Sequence, residues 1–184
     1  MLLLDDMPEL YTHQPQLLSA SSCLELVEFG IERIKNQDFT YAGVNGYEVS
    51  KFGLSIETMR NSRAAVAQMQ LSPEDESVRD FAARFTDLGS CSLMGFKFFF
   101  GIDHEVNLPP QTKACRTTLL SLAGDGGFKI YPAGSEQHDF TEVITAPGDQ
   151  LTVEPGATYS GFGIGNADNP RIVAYFYEGQ KPLK

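Results

Sequence analysis

The stretch PGDQLTVEPGATYSGFGIGN, residues 147–166, decides the fold class of this chain. Its β-forming residues run up to Val153, and Pro155 and Gly156 follow directly. Proline presets the backbone at the first central position of a turn, and glycine accepts the positive φ that the second position requires. The stretch therefore predicts a strand that ends at Val153, a Pro-Gly turn and a return strand. We expect Tyr159 to be the first inward-facing residue of the return strand.

Similar runs of β-forming residues fill the chain after Gly89. They are SLMGFKFFFGI, EVNLPP, CRTTLLSLA, FKIYP, TEVITAPG and RIVAYFYEG, with glycine, proline, aspartate and asparagine between them. Short strands with frequent turn residues are typical of a β-sandwich or a β-barrel. The sharpest turn is LAGDGGF, because Gly124, Gly126 and Gly127 can adopt positive φ values there. The second half is therefore predicted to be all β.

The first half has helical periodicity instead. Leu24, Val27, Ile31 and Ile34 recur at helical spacing in residues 21–37, and Ser22 with Glu25 resembles a capping box. The patterns of residues 54–70 and 72–89 are also helical, with Ser72 as N-cap and Pro73 at the first position of the latter. Three helices are predicted. Between the first two, Asn45-Gly46 suits a short hairpin, and a loop is the alternative.

Composition narrows the classes of function. The formal net charge is −10, which argues against nucleic-acid binding because that binding depends on lysine and arginine neutralising phosphates. The opening MLLLDD lacks the basic and apolar regions of a signal peptide or membrane span. Cys23, Cys91 and Cys115 are far apart, which favours reduced thiols. We expect a cytoplasmic protein that contacts neither membrane nor nucleic acid and whose partner is a small molecule.

The stretch 147–166 resembles the second motif of the cupin superfamily, G-x5-P-x-G-x2-H-x3-N. Counting from Gly148, the chain has Glu154 at the proline position, Gly156 at the second glycine, Tyr159 at the histidine and Gly163 at the asparagine. The resemblance implies a jelly-roll β-barrel over residues 91–184, and dimerisation through sheet faces, as is common in small cupins. With the helical first half, it predicts an α+β fold in which helices within residues 1–90 pack on the barrel.

The metal ligands of cupins are missing. The segment that corresponds to the first motif, PPQTKACRT, has neither histidine nor carboxylate, and His13, His104 and His138 form no H-x-H pair. We therefore predict no metal and no other cofactor. A non-standard site built from His104, His138 and Glu154 is the alternative.

Tyr159 in place of the histidine suggests metal-free chemistry. A neutral phenol donates a hydrogen bond or a proton but is a poor ligand for a divalent ion. By analogy with the cupin-class sugar epimerases, Tyr159 would be the acid and His104 or His138 the base. Gly161, Gly163 and Gly165 would leave space beside Tyr159 for a ligand. Alternatively, Tyr159 bonds to a backbone carbonyl and fills the barrel, and each histidine is a loop or core residue.

Aromatic residues are expected to line the barrel. Alternation in RIVAYFYEG puts Val173, Tyr175 and Tyr177 on one face. The predicted ligand-binding residues are Arg116, Tyr131, Phe162, Tyr175 and Tyr177, and Arg116 with Lys113 would supply the only buried positive charge. Such a lining suits a small, partly apolar ligand with a carboxylate or carbonyl. The alternative is that the aromatic side chains only fill the interior.

Three functions follow. The first is a metal-independent isomerase, cyclase or lyase that acts by acid–base chemistry on a small organic molecule. The second is a non-catalytic cupin that binds a small ligand or a protein partner. The third is an atypical metal-dependent cupin oxygenase.

Overall fold

The computed structural model of the protein describes residues 9–44, 47–48, 66–72, 74–84, 91–99, 116–132, 139–163 and 169–178. Its helices are α1 (Ala20–Lys35) and α2 (Glu76–Ala83). Its strands are β1 (Tyr11–Gln14), β2 (Tyr41–Val44), β3 (Tyr47–Glu48), β4 (Val66–Leu71), β5 (Cys91–Phe99), β6 (Arg116–Ala123), β7 (Gly126–Tyr131), β8 (Thr141–Thr145), β9 (Gln150–Val153), β10 (Thr158–Gly163) and β11 (Arg171–Glu178).

The strands of the described ranges form two antiparallel sheets. The large sheet has the order β1-β9-β6-β11-β5-β4-β2-β3, and the small sheet has the order β10-β7-β8. Strand β11, the last of them along the chain, pairs with β5 on one side and with β6 on the other. Strand β1 forms one edge of the large sheet and pairs with β9.

Each face of the large sheet has its own buried cluster. On one face, the helix-side cluster joins apolar residues of α1 and α2 to Phe96, Phe98, Leu120 and Phe176. On the other face, the inter-sheet cluster joins Leu119 and Val173 of the large sheet to Phe128, Ile130 and Val143 of the small sheet. The predicted alternation along β11 is confirmed, since Ala174 and Phe176 belong to the first cluster and Val173, Tyr175 and Tyr177 to the second.

The helix predictions need correction. The N-cap of α1 is Ser19, whose side chain accepts a hydrogen bond from the backbone of Ser22, so the helix begins earlier than the capping-box pattern indicated. Its buried face is Cys23, Leu26, Gly30 and Ile34, and Leu24 is 57% exposed.

The predicted second helix is wrong over residues 66–70, which belong to strand β4 between β2 and β5. Residues 54–65 of that prediction lie outside the described residues. The third predicted helix is present as Glu76–Ala83. Strands β2 and β3 pair antiparallel with Val44 opposite Tyr47, which confirms a hairpin between these strands. Asn45 and Gly46 themselves lie outside the described residues.

The antiparallel β architecture of the second half is confirmed, and the Pro-Gly turn is present with Gly156 at φ +89°. The predicted closure into a barrel is not found in the described residues, where the two sheets face each other as a sandwich. Strands β1 to β4, all before residue 90, share the large sheet with β5 and β11. The boundary at residue 90 stays a prediction. Neither of the described helices has the length and apolar character required to cross a membrane.

Candidate functional site

Two positively charged side chains lie on the inter-sheet face of the large sheet. Phe96 and Phe98 face the helices, so the strand pleat turns Lys97 and Phe99 the other way. On β11, Arg171 shares the parity of Val173 and Tyr175 and therefore the same face. The region between the sheets thus contains an apolar cluster with two cations beside it, and we call it the inter-sheet site.

Lys97 is held against aromatic rings. Its Nζ lies 5.1 Å from the centroid of the Tyr159 ring and 5.5 Å from that of Tyr175, which are cation–π distances. In the part of the chain that the structure describes, no carboxylate lies within ion-pair distance of this ammonium group. Burial, aided by the charge of Arg171, lowers the pKa of Lys97 to about 8. Lys97 is therefore a cation close to its titration point at neutral pH.

Tyr175 is fully buried beside it. Its hydroxyl accepts a hydrogen bond from Gln68 Nε2 at 2.8 Å and donates one to the backbone oxygen of Met69 at 3.5 Å. Burial, with the neighbouring Tyr177, raises the pKa of Tyr175 well above its usual value. A Cβ at Gly95 would overlap the Tyr175 ring, so glycine is needed there. The phenol stays protonated and is held in one place.

Arg171 joins the two sheets. Its guanidinium donates to the backbone oxygens of Gly127 (3.1 Å) and Phe162 (2.9 Å) and to Thr145 Oγ1 (2.9 Å), one acceptor on each strand of the small sheet. The rings of Phe99 and Phe128 lie 5.3 and 4.5 Å from its central carbon.

Burial lowers the pKa of Arg171 to about 9, which leaves it charged at pH 7. Among the described residues, its Nε is the buried side-chain polar atom that has no hydrogen-bond partner. Because its other donors are occupied by the small sheet, we assign Arg171 to holding the sheets together.

Tyr159 lies half-buried on β10, with its ring edge-on to Phe128 at 6.2 Å between centroids. It packs against the inter-sheet cluster, as its predicted inward orientation requires. The predicted space beside it is occupied, because a Cβ at Gly161 or Gly163 would come within 2.9 Å of Phe99. These glycines admit the Phe99 ring and not a ligand. Gly165 lies outside the described residues.

Arg116 does not supply the buried charge that was predicted for it. Its side chain is 46% exposed and forms an ion pair with Glu154, with 3.1 Å between Nε and Oε2. Lys113 lies outside the described residues. The inter-sheet face instead carries Arg171, which is fully buried, and Lys97, which is half-buried, and the sequence analysis missed both. The signal for Lys97 was a single lysine in the aromatic run GFKFFF, because strand alternation points its side chain to the sheet face away from Phe96 and Phe98.

The other predicted residues divide between the faces. Tyr177 is buried beside Tyr175, with 5.3 Å between ring centroids. Tyr131 and Phe162 alternate with inward-facing residues of β7 and β10 and so lie on the outer face of the small sheet. There Tyr131 approaches Phe140 and Ser160. We do not include Tyr131 and Phe162 in the inter-sheet site. His104 and His138 lie outside the described residues.

The described ranges supply no metal centre, because they contain no group of three histidine, cysteine or acidic side chains that could hold an ion. His13 pairs with Asp149 at 3.0 Å where β1 joins β9. Burial of the Asp149 carboxyl is outweighed by hydrogen bonds from the Ala146 and Gln16 backbones and from His13, which together lower its pKa. This pair anchors the edge strand.

Known proteins are similar to this chain in structure alone. No family model matches the chain, and no curated protein matches it in sequence. The structure of E. coli YcfD matches with a TM-score of 0.59 and 10% identity, over 94% of this chain and 50% of that one. A second structure of YcfD, described as a ribosomal oxygenase from Escherichia coli, gives 0.57 and 10%, over 93% and 48%. A Pseudomonas putida prolyl-4-hydroxylase gives 0.51 and 12%, over 93% of each chain.

These likenesses concern the fold. The matched proteins have cupin-like folds, which supports the predicted cupin resemblance at the level of architecture. The chain spans about half the length of YcfD.

Proposed function

We propose that this protein binds a small organic anion of the carboxylate class at the inter-sheet site, with Lys97 as the charge that recognises it. The observation that carries the proposal is a half-buried ammonium group between two tyrosine rings, with no carboxylate in reach among the described residues. Burying a charge without a partner costs free energy, and proteins usually pair such groups. An anionic ligand would be the missing partner.

Arg171 makes the contrast clear. It is more deeply buried than Lys97, but its guanidinium has protein acceptors on all three strands of the small sheet. Among the described residues, the partners of Lys97 are the rings of Tyr159 and Tyr175. Of the two cations, Lys97 is therefore the one whose charge a ligand would neutralise.

The surroundings of Lys97 define the rest of the ligand. The ring face of the half-buried Tyr159 suits an apolar or planar portion of the ligand. The Tyr175 hydroxyl is already bonded to Gln68 and Met69, whereas Tyr159 is less buried. We therefore assign the ligand's hydrogen bond to Tyr159, as a donor to one carboxylate oxygen. In a catalytic form of the same site, Lys97 would accept a proton and Tyr159 would donate one.

Comparing carboxylates with the neutral amides of the same shape distinguishes recognition of the ligand's charge from non-specific binding. We would measure the thermal shift of the full chain with acetate, benzoate, acetamide and benzamide. Ligand at a hundred times its Kd adds about 2.7 kcal/mol to the free energy of unfolding. We expect benzoate to stabilise the wild type and Lys97→Arg but not Lys97→Met, and the amides to have little effect.

The matched control is Lys129→Met, because Lys129 lies on the outer face of the small sheet with its Nζ near Phe140. This variant should respond to benzoate as the wild type does. Carboxylate binding should also weaken above about pH 8, where Lys97 loses its charge. Equal stabilisation of Lys97→Met and the wild type would overturn the proposal.

A second candidate is a metal-dependent oxygenase, which the likeness to a ribosomal oxygenase and a prolyl-4-hydroxylase favours. The described residues do not supply its ligands. His104, His138 or other residues outside the described ranges would have to hold the metal. Metal analysis of the purified protein, followed by Fe(II) titration with and without His104→Ala, tests this candidate. Stoichiometric, His104-dependent iron would support it, and absence of tight binding would remove it.

A further inference from the structure

We propose that Lys97 is also a reactive amine, which condenses with a small aldehyde or ketone bearing a carboxylate to form an imine. This inference rests on the proposed function, because the inter-sheet site must first admit a small anion. It goes further by assigning a covalent step to one atom, Lys97 Nζ.

The first requirement for such a step is an amine that no protein group occupies. Exposed lysines are strongly solvated, and paired lysines are held charged by their carboxylates. In the described chain, Lys97 meets neither condition, since it is half-buried and has no carboxylate partner. Arg171, on the same sheet face, adds a like charge that disfavours the ammonium form.

The second requirement is a useful fraction of neutral amine at physiological pH. With the pKa lowered to about 8, about a tenth of Lys97 would be neutral at pH 7, against about one part in three thousand for an ordinary lysine. Desolvation and a neighbouring cation are recognised routes to a nucleophilic lysine. Among the described residues, the titratable or charged neighbours of Lys97 and Tyr175 are Tyr41, Tyr159, Arg171, Tyr175 and Tyr177. None of them is an acid that would restore a normal lysine pKa.

The third requirement is a proton donor for the leaving hydroxyl. The neutral amine attacks the carbonyl carbon, the C=O π pair moves to oxygen, and a proton passes from nitrogen to oxygen to give a carbinolamine. Tyr159, whose ring faces Nζ, then protonates that hydroxyl, which leaves as water. The nitrogen forms the C=N bond, and its remaining proton returns to the Tyr159 oxygen. The balance is one amine and one carbonyl compound giving one imine and one water.

Reductive trapping tests the step directly. The full chain would be treated with glyoxylate and sodium cyanoborohydride at pH 7, and the carboxymethyl-lysine formed would be mapped by peptide mass spectrometry over time. We expect Lys97 to be modified at least tenfold faster than Lys35, which is exposed at the end of α1. The Lys97 rate should level off above about pH 8, where the amine is already largely neutral.

Wild-type benzoate stabilisation keeps this test separate from that of the proposed function, and two variants control it. Lys97→Arg cannot form an imine, so it should lose the fast trapping. Lys129→Arg should trap as the wild type does. Trapping of Lys97 no faster than Lys35, with benzoate stabilisation intact, would overturn the imine and leave carboxylate binding in place. Loss of both in the wild type would overturn both.

Discussion

The two faces of the large sheet are made by the same strands yet differ in chemistry. Toward the helices, β5 and β11 present Phe96, Phe98, Ala174 and Phe176 to an apolar cluster. Toward the small sheet, the alternate residues include Lys97, Arg171 and Tyr175, with a hydroxyl, an ammonium and a guanidinium removed from bulk water. The helix-side face stabilises the fold. The inter-sheet face carries polar groups whose burial lowers stability unless a hydrogen-bond or charge partner compensates for it.

The largest expected effect comes from the helix-side face. Phe96→Ala should lower the free energy of unfolding by about 3–5 kcal/mol, because it removes a fully buried ring that also packs on Gly30 and leaves a cavity. Urea denaturation measures the loss. Benzoate stabilisation per unit concentration should not change. If folded Phe96→Ala bound benzoate with altered affinity, the helix-side face would contribute to binding as well as to stability, which would contradict the separate roles of the two faces.

Arg171→Met should be the next most costly change, by about 2–4 kcal/mol. It removes the donors to Gly127, Phe162 and Thr145, which are left in a buried setting. Arg171→Lys should recover only part of the loss, because one ammonium cannot reach all three acceptors. Urea denaturation of both variants is the measurement. A loss below about 1 kcal/mol for Arg171→Met would show that the sheets do not depend on this residue.

Lys97→Met should raise the free energy of unfolding at pH 7, by about 1–2 kcal/mol after allowance for the partial exposure of Lys97. The folded pKa of about 8 lies below the unfolded value near ~10.4, so between these pH values the unfolded chain binds more protons. Wild-type stability should therefore rise with pH across that window relative to Lys97→Met. Unfolding curves at pH 7, 8, 9 and 10 measure the difference. A constant difference would contradict the lowered pKa.

Tyr159→Phe should change stability least, by less than about 1.5 kcal/mol, since it keeps the ring and deletes one hydroxyl. Benzoate affinity should nevertheless fall by about tenfold. Tyr175→Phe is the matched comparison, because its hydroxyl is bonded to Gln68 and Met69 and serves the fold. A loss of stability without a loss of affinity in Tyr159→Phe would make Tyr159 a structural residue.

Local patterns predicted the features that neighbouring residues in the chain decide. The Pro155-Gly156 turn between β9 and β10 and the alternation along β11 are examples, because turn chemistry and the strand pleat act locally. Residues 66–70 were misassigned because the alanine-rich run at residues 64–67 suits a helix, whereas pairing with β2 and β5 made them a strand. Leu24 was misplaced because four apolar positions permit more than one buried face.

The site was harder to predict than the fold. Arg171 directly follows Pro170 at the start of β11, a position that is often exposed, and the small sheet buries it only through contacts far away in sequence. Lys97 carries a local signal, but its environment depends on Tyr159 and Tyr175 from two later strands. Charge burial of this kind is a product of tertiary packing.

The central position of β11 has a consequence for folding during synthesis. Strand β5 must be held until β11 emerges about 80 residues later, which takes roughly 4–16 s at ordinary translation rates. During that delay β5 presents an unpaired edge and an aromatic face, and such segments are prone to pair with other chains. The nascent chain therefore has a defined interval, which ends when β11 is made, during which this edge is open to mispairing with other chains.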